Sequence, residues 1–355
     1  MTDTKKSAHH IRWPRIRSFH AMFKNAKRID NDLPGEVVYR GKIKLHGQNV
    51  GITIQRPLDD DCQPTVSIQS RNHIVDNCTL AGEVVFPDNV SFFTDLWGYF
   101  VSQSEPNSVP GCSQFTIFGE WCGKGIQKHA AISTIDEKVF AIFAIDFLGC
   151  LMVEPDDITT FLTCNGANVM PPRVYVLPWQ TDFMSVDFDD EKKTQVVLDE
   201  LDESVVECCR CDPWVQETFG ISGLGEGLVL YPVSKYSTGR QYLERHVFGV
   251  YGFKAKGEQF RVVENRKSAT VKVPKVVDTM KFVDVVCTEA RLEQAVSETG
   301  ATCMTDTRHV LDWIRNDIQC ECQLEMEESG VTIKTINRSL GRRVCSWFRA
   351  YVTKI

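Results

Sequence analysis

A lysine beside a glycine turn has the residue type and position of a candidate nucleophile. Residues 36–45 are rich in Val, Ile and Tyr, Lys44 lies near the end of this run, and Gly47 interrupts it before apolar residues alternate over 50–54. The pattern predicts a strand, a tight turn and a second strand. A strand fixes the direction of a lysine side chain, and a glycine turn lets a phosphate approach backbone N–H groups. On its own, the motif fits an ordinary solvated lysine on an edge strand equally well.

Two further lysines have the spacing to share one face of a strand. Lys254 and Lys256 are two residues apart, so on a strand their side chains point the same way, just as Lys44 points away from Ile43 and Leu45. Two aligned ammoniums suit a polyphosphate. If they face Lys44, like-charge repulsion would also lower its pKa and favour the nucleophilic neutral amine.

Two carboxylates lie at the ends of apolar, strand-like stretches. Glu120 ends the stretch 115–120 before a glycine-rich turn, and Glu226 opens the stretch 226–232. The Glu120 carboxylate is either simply exposed at a strand end or accepts hydrogen bonds from the hydroxyls of a bound sugar, which need a fixed acceptor.

The composition is that of a globular protein with a sizeable core. The chain has 355 residues, of which 43% are hydrophobic and 25% charged, enough for one large domain and a smaller one. Its longest apolar run, 139–153, is interrupted by Asp146 and is shorter than a bilayer crossing, and no apolar signal segment follows the N-terminus. We therefore expect a soluble, intracellular protein, cytoplasmic by default, with a mitochondrial or nuclear location left open. The basic, acid-free stretch 4–29 could pass for a mitochondrial presequence, but Trp13–Phe19 favours a lead-in to the first domain.

The fourteen cysteines fit free thiols in a reducing compartment better than a disulfide framework, because their spacing is irregular. Cys208, Cys209 and Cys211 form one cluster. No second Cys or His pair lies nearby, so ordinary thiols at a helix end are favoured over a structural zinc site.

The net charge of −7 indicates that any nucleic-acid binding is local. Basic residues cluster within 254–275 and again in the tail, at Arg338, Arg342, Arg343 and Arg349. A solvated charged face explains either cluster equally well.

The remaining patterns predict the elements that must position these residues. Composition shifts after Lys256 to a basic, proline-containing segment, which predicts domains at 1–263 and 276–355 joined by a linker at 264–275. The predicted helices are Ser91–Val101, Thr194–Cys209, Val276–Glu298, Asp306–Glu328 and Ile336–Val352. The predicted strands beyond the first pair include Val139–Ile145.

The order of the charged motifs resembles a known enzyme superfamily. The motifs are Lys44-Leu-His46-Gly-Gln-Asn49, Phe118-Gly-Glu120 followed by Gly-Ile-Gln, an aromatic strand, Glu226-Gly-Leu-Val and Lys254-Ala-Lys256. In this order they resemble motifs I, III, IIIa, IV and V of covalent nucleotidyltransferases. The His-Gly-x-Asn form and the Gly-Ile-Gln segment are similar to the RNA ligase 2 family of phage nick-sealing and kinetoplastid editing ligases. The resemblance covers about residues 13–263.

This resemblance implies an α+β fold. The first domain would be a nucleotidyltransferase (ATP-grasp-like ligase) domain of antiparallel sheets with flanking helices, followed by a small all-helical C-terminal domain. The implied activity is ATP-dependent joining of RNA 3′-OH and 5′-phosphate ends through lysyl-AMP and RNA-adenylate intermediates, with Mg²⁺ or Mn²⁺ as the metal. The implied partner is RNA, as a nicked or splinted duplex. We expect a monomer, with no membrane partner, and a protein partner on the C-terminal helices is left open.

The resemblance also implies a role for individual residues. Lys44 would attack the α-phosphorus, with Lys254 and Lys256 gripping the α-phosphate. Glu120 would take the ribose hydroxyl, Phe143 would stack on adenine, and Glu226 would hold the metal or orient Lys44. The remaining nucleotide-binding residues would be Ile43, Leu45, His46, Asn49 and Arg71, of which Arg71 holds the sugar and phosphate.

The chain departs from the family pattern at two positions. The family commonly has an aspartate after the stacking aromatic residue, whereas Ala144 follows Phe143 here and the acid is Asp146. Phage members carry a lysine where this chain has Tyr231. A DNA ligase or mRNA guanylyltransferase shares the motifs but usually adds an OB domain, and a scaffold that has lost catalysis would be expected to have lost a charged motif residue.

Overall fold

The computed structural model describes two compact units, Met1–Lys256 and Gly257–Ile355, each of which is described by itself. The predicted domain boundary at residue 263 and the predicted linker at 264–275 lie outside the described residues. The described residues are 10–29, 35–55, 64–71, 74–75, 92–93, 95–98, 100, 113–127, 129–163, 170–235, 242–257, 279–322, 326 and 329–353.

Two sheets build the first unit. The five-stranded sheet runs in the order β1 (Arg17–Ser18), β13 (Phe253–Lys256), β11 (Gly227–Tyr231), β2 (Glu36–Ile43) and β10 (Met184–Asp187). The eight-stranded sheet runs β12 (Tyr242–Glu244), β8 (Cys150–Met152), β7 (Lys138–Phe147), β6 (Gln114–Gly123), β3 (Gln48–Gln55), β4 (Thr65–Ser70) and β5 (Ile74–Val75), and β9 (Val174–Val176) also pairs with β7. Of these pairs, β1–β13 and β7–β9 are parallel and the others are antiparallel. The predicted α+β fold with antiparallel sheets is confirmed.

Helices flank these sheets. They are α1 (Phe19–Ile29), α2 (Pro155–Thr163), α3 (Glu191–Arg210), α4 (Pro213–Phe219) and α5 (Arg245–Tyr251). The helix predicted at 194–209 is confirmed within α3, which begins where the Asp190 carboxylate accepts hydrogen bonds from two backbone N–H groups. Residues 92–93, 95–98 and 100 are helical, as predicted for this stretch. None of the helices among the described residues is long and apolar enough to span a bilayer.

Strand alternation gives the eight-stranded sheet two different faces. On the eight-stranded sheet, Ile117 and Ile142 belong to a core that also contains Phe93 and Ile158. The side chains of the opposite face include Thr53, Phe118, Glu120 and Asp146. We call the two faces that approach each other the inner faces, because Lys42 on one sheet hydrogen bonds to the other sheet at Phe143.

The predicted strand, turn and strand around Lys44 do not form a hairpin. The first strand is β2 of the five-stranded sheet, and the second is β3 of the eight-stranded sheet. The backbone N–H of Lys44 donates to Gly227 O at 2.8 Å, after which the chain crosses to the other sheet. At Gly47, a Cβ atom would lie only 2.5 Å from Trp121 O, so this crossing requires glycine. Lys44 therefore stands where the two sheets meet.

The secondary-structure elements described in the second unit are helices. The helices are α6 (Thr279–Val286), α7 (Glu289–Thr299), α8 (Thr307–Glu321) and α9 (Ile333–Val352). The prediction of a single helix over 276–298 is wrong, because the chain breaks at residues 287–288, where the Thr288 hydroxyl caps α7. In α9, Ile336, Leu340, Val344 and Phe348 are fully buried, as the four-residue repeat predicts.

Candidate active site

Three basic side chains from two motifs contact Glu226, which belongs to a third motif. The Lys44 Nζ atom lies 2.9 Å from Glu226 Oε2, and His46 Nδ1 lies 3.3 Å from the same oxygen. The Lys256 Nζ atom lies 2.7 Å from Glu226 Oε1. Glu226 is only 4% exposed, so this carboxylate is a buried partner that the three basic groups share.

The electrostatics keep Glu226 ionised. Burial acts to raise its pKa, but the ammoniums of Lys256 and Lys44 and the hydrogen bond and charge of His46 outweigh burial and hold the pKa well below its usual value. A buried carboxylate held in this way orients the basic groups around it.

Sheet register places the three motif lysines on one inner face. Residues directly opposite each other in an antiparallel pair carry their side chains on the same face. Val229 lies opposite Lys42 on one side and Lys254 on the other, and Gly227 lies opposite Lys256. Because Lys44 is two residues from Lys42, Lys254 and Lys256 face the same side as Lys44.

Glu120 reaches this cluster from the inner face of the other sheet. It lies opposite Asn49, and its carboxylate accepts a hydrogen bond from the Gly47 backbone N–H. Burial raises its pKa to about 7, against the lowering effects of Lys44 and Arg71, while Glu226 adds to the rise. Glu120 is therefore a fixed acceptor within the field of Lys44.

Gln127 holds the Gly47 turn in place. Its side-chain Nε2 donates to Gly47 O at 2.6 Å, and its own backbone has a φ of 51°, a conformation that few residues other than glycine adopt. In the sequence, this glutamine is a family marker to which no role was assigned. In the structure, its hydrogen bond to Gly47 O connects the glycine-rich turn after Glu120 to the turn after Lys44.

Phe143 lies on the inner face at an irregular position in β7. Phe118 pairs with Ala144 and Gly119 pairs with Ile142, which leaves Phe143 as the extra residue of a β-bulge. Trp13 contacts both Phe118 and Phe143, with ring centroids 4.9 Å apart in each case, so the two phenylalanines share a face.

Ile43 and Leu45 are 4% and 3% exposed. Their side chains lie on the face opposite Lys44, so only their backbone atoms border the site.

The two departures from the family pattern have structural partners. Asp146 is fully buried, forms an ion pair with Arg245 at 2.7 Å and accepts a hydrogen bond from the Gly149 backbone N–H. Burial raises its pKa, against Arg245 and Gly149. Tyr231 is 2% exposed and stacks on Phe248 with ring centroids 4.8 Å apart. These contacts give Asp146 a structural role in the turn after β7.

Lys42 is a further inner-face residue that the sequence pattern did not indicate. It is only 1% exposed, and burial lowers its pKa to about 7, with Glu154 opposing and Arg40 adding to this effect. A lysine in a strand is usually exposed, which is why the pattern alone gave no reason to select it. The available signal was spacing, because Arg40 and Lys42 alternate with apolar neighbours in step with Lys44.

The described residues contain no group of three or more His, Cys, Asp or Glu side chains that could hold a metal ion. Cys208, Cys209 and Cys211 therefore form no such group. The nine cysteines with described side chains are free thiols, as predicted. Mg²⁺ usually binds one or two carboxylates together with substrate phosphates, so Glu226 with neighbouring Glu120 fits a metal that arrives with a nucleotide.

The chain belongs to the RNA ligase family, because a family model described as RNA ligase matches residues 38–256, more than half of the chain. The matched residues contain Lys44, Glu120, Glu226, Lys254 and Lys256. A search of curated proteins found no match.

Similar solved structures include RNA ligases from two sources. A Naegleria gruberi RNA ligase with ATP and Mn is 13% identical with a TM-score of 0.41, covering 70% of this chain and 57% of that one. The same organism's RNA ligase with pyrophosphate is 12% identical with a TM-score of 0.40, covering 73% and 62%. An archaeal ATP-dependent RNA ligase is 12% identical with a TM-score of 0.37, covering 71% and 49%. This chain therefore spans less than two thirds of each of these chains, and similarities at this level support no residue-level conclusion.

Proposed function

We propose that this protein is an ATP-dependent RNA ligase that joins 3′-OH and 5′-phosphate ends through lysyl-AMP and RNA-adenylate intermediates. The observation that carries the proposal is the convergence of Lys44, His46 and Lys256 on the buried carboxylate of Glu226. Membership of the RNA ligase family supports RNA as the substrate.

In the first step, the Lys44 amine would form a bond to the α-phosphorus of ATP, and the bond to the β-phosphate oxygen would break to release pyrophosphate. An amine attacks only when neutral, so the ammonium that pairs with Glu226 must first lose a proton to solvent, and the second proton that the attacking nitrogen releases would leave with the pyrophosphate. Lys254 and Lys256 share the face of Lys44, where they would neutralise phosphate oxygens and favour the neutral amine.

The nucleoside would be held from the eight-stranded sheet. Glu120, fixed by Gly47 N–H, is suited to accept a ribose hydroxyl. Phe143 would stack on the adenine, while His46, Asn49 and Arg71 would line the path of the phosphates and sugar. Backbone atoms of Ile43 and Leu45 would border the same pocket.

Glu226 would hold a divalent metal together with phosphate oxygens. Bound there, Mg²⁺ or Mn²⁺ would supply charge neutralisation at the phosphate. The two carboxylate oxygens of Glu226 contact Lys44, His46 and Lys256, so the same residue would also orient the nucleophile.

In the later steps, AMP would pass from Lys44 to an RNA 5′-phosphate, and a 3′-hydroxyl would displace AMP to close the phosphodiester. Both are phosphoryl transfers governed by position and charge stabilisation. For the substrate, we propose a nicked or splinted RNA duplex bound by a monomer. Exposed Arg338, Arg342, Arg343 and Arg349 on α9 support local contact with phosphates, although the same helix could bind a protein partner.

The test is incubation with α-labelled ATP or GTP followed by a denaturing gel, and then sealing of a nicked RNA duplex. We expect labelling by ATP and joining of the nick. Lys44→Ala should abolish labelling. Lys124→Ala is the control for a lysine substitution, because the Lys124 side chain is 69% exposed. Labelling by GTP alone would indicate a guanylyltransferase, and absence of any label would indicate a nucleotide-binding scaffold.

A further inference from the structure

The inner face of the five-stranded sheet contains a buried lysine that the proposed mechanism does not use. Lys42 is 1% exposed, yet among the described residues no carboxylate lies within ion-pairing distance of its Nζ atom. Burying a charge without a direct ion-pair partner is costly, so its position calls for a physical explanation.

One part of the explanation is the β-bulge at Phe143. The extra residue of a bulge is left out of the ladder, so its carbonyl needs another donor. The Lys42 Nζ atom donates to Phe143 O at 3.0 Å, across from β2 of one sheet to β7 of the other. Lys42 therefore fixes the backbone of the residue whose ring is expected to stack on the base.

The remaining donors of Lys42 are in excess of its partners. An ammonium carries three N–H groups, and Phe143 O accepts from one of them. The Trp179 and Tyr231 rings lie with their centroids 4.8 and 5.7 Å from Nζ, close enough for cation–π attraction but without a lone pair to accept. The spare donors therefore lie beside the backbone of Phe143 and next to Val229, which is directly opposite Lys42 in the sheet.

We propose that Lys42 is a specificity-determining residue for the nucleotide base, and that its ammonium donates a hydrogen bond to a ring nitrogen of the adenine that stacks on Phe143. This inference rests on the proposed function. Adenine offers N1, N3 and N7 as ring acceptors, and the Phe143 carbonyl holds the ammonium in place while it donates to one of them.

The test compares ATP with 1-deaza-, 3-deaza- and 7-deaza-ATP in the self-adenylylation reaction. Each analogue replaces one ring nitrogen with C–H and leaves the triphosphate and ribose intact. In the unmodified protein, we expect one of the three to raise KM about tenfold or more, the size of a lost charge-assisted hydrogen bond, with little change in kcat.

The same series is run on Lys42→Met, which keeps the length and apolar stem of the side chain and removes its donors. Lys42→Met should raise KM for ATP by a similar factor and should abolish the difference between ATP and the sensitive analogue. Lys192→Met is the matched control, because Lys192 is exposed on α3, and it should behave like the unmodified protein. Lys42→Met leaves Phe143 O without this donor, so its folding is checked first by urea unfolding, and the analogue series on the unmodified protein tests the inference without any variant.

Two results would overturn the inference. One is an unmodified protein that treats all three analogues like ATP, a result that needs no variant. The other is a Lys42→Met protein that retains the full discrimination against one analogue. Failure of the proposed function is distinguishable from both, because the unmodified protein would then form no lysyl-AMP with ATP itself.

Discussion

Substitution of Glu120 by glutamine should make the folded protein more stable at alkaline pH. In the folded protein, burial raises the pKa of Glu120 to about 7, compared with the ordinary value of 4.5 for a glutamate. Between these two values, the folded state holds a proton that the unfolded state has lost, so stability falls as pH rises through this window. The gap of about 2.5, at about 1.4 kcal/mol for each unit of pKa, corresponds to about 3 kcal/mol. Glutamine keeps an oxygen that can accept from Gly47 N–H but never ionises, so Glu120→Gln should be spared this loss.

The assay is urea unfolding at pH 5 and at pH 8.5, without nucleotide. The two proteins should have similar free energies of unfolding at pH 5, where Glu120 is protonated in the folded state. At pH 8.5, Glu120→Gln should be more stable by about 3 kcal/mol. Glu200→Gln serves as the control, because Glu200 is exposed on α3, and its substitution should leave the pH dependence unchanged. An equal loss of stability from pH 5 to pH 8.5 in Glu120→Gln and the unmodified protein would refute the reasoning about burial at this site.

Two other predictions concern the lysines that share the inner face with Lys44 and the arginines of α9. If Lys254 and Lys256 favour the neutral Lys44 amine, alanine at either position should cut self-adenylylation strongly at neutral pH, about tenfold or more, with partial recovery at higher pH. A loss that pH does not change would leave phosphate binding as that lysine's role. The full chain should seal nicked RNA with steep salt dependence, whereas a fragment ending at Lys275 should form lysyl-AMP but seal poorly. Comparable sealing by fragment and full chain, measured from 50 to 200 mM salt, would assign the helical tail another purpose.

Much of the site could be predicted because its residues belong to short motifs with a recognisable local pattern. Strand alternation separates Lys44 from Ile43 and Leu45, and the same period aligns Lys254 with Lys256. An orienting contact between Glu226 and Lys44 was expected only from the family resemblance, since strand pairing over such sequence distances has no local signal, and the contact of Lys256 with Glu226 was not predicted.

What the sequence did not predict depends on contacts distant in the chain. Local pattern predicted two strands around Gly47, but only the partners of β2 and β3 decide that these belong to different sheets. Lysine is usually a surface residue, and the partner of Lys42 Nζ is the carbonyl of Phe143 at the β7 bulge, in another sheet. The helix break at Thr288 did have a local signal, because a threonine before Glu289 is a typical N-cap. The apolar periodicity across 276–298 obscured this signal.

The most direct test of the central claim is to locate AMP on the protein. The unmodified protein is incubated with ATP and a divalent metal, digested, and examined by peptide mass spectrometry under conditions that preserve a phosphoramidate. We predict an AMP adduct on Lys44 in the unmodified protein and no adduct in Lys44→Ala. An adduct on another residue, or the same adduct yield in Lys44→Ala, would contradict the account.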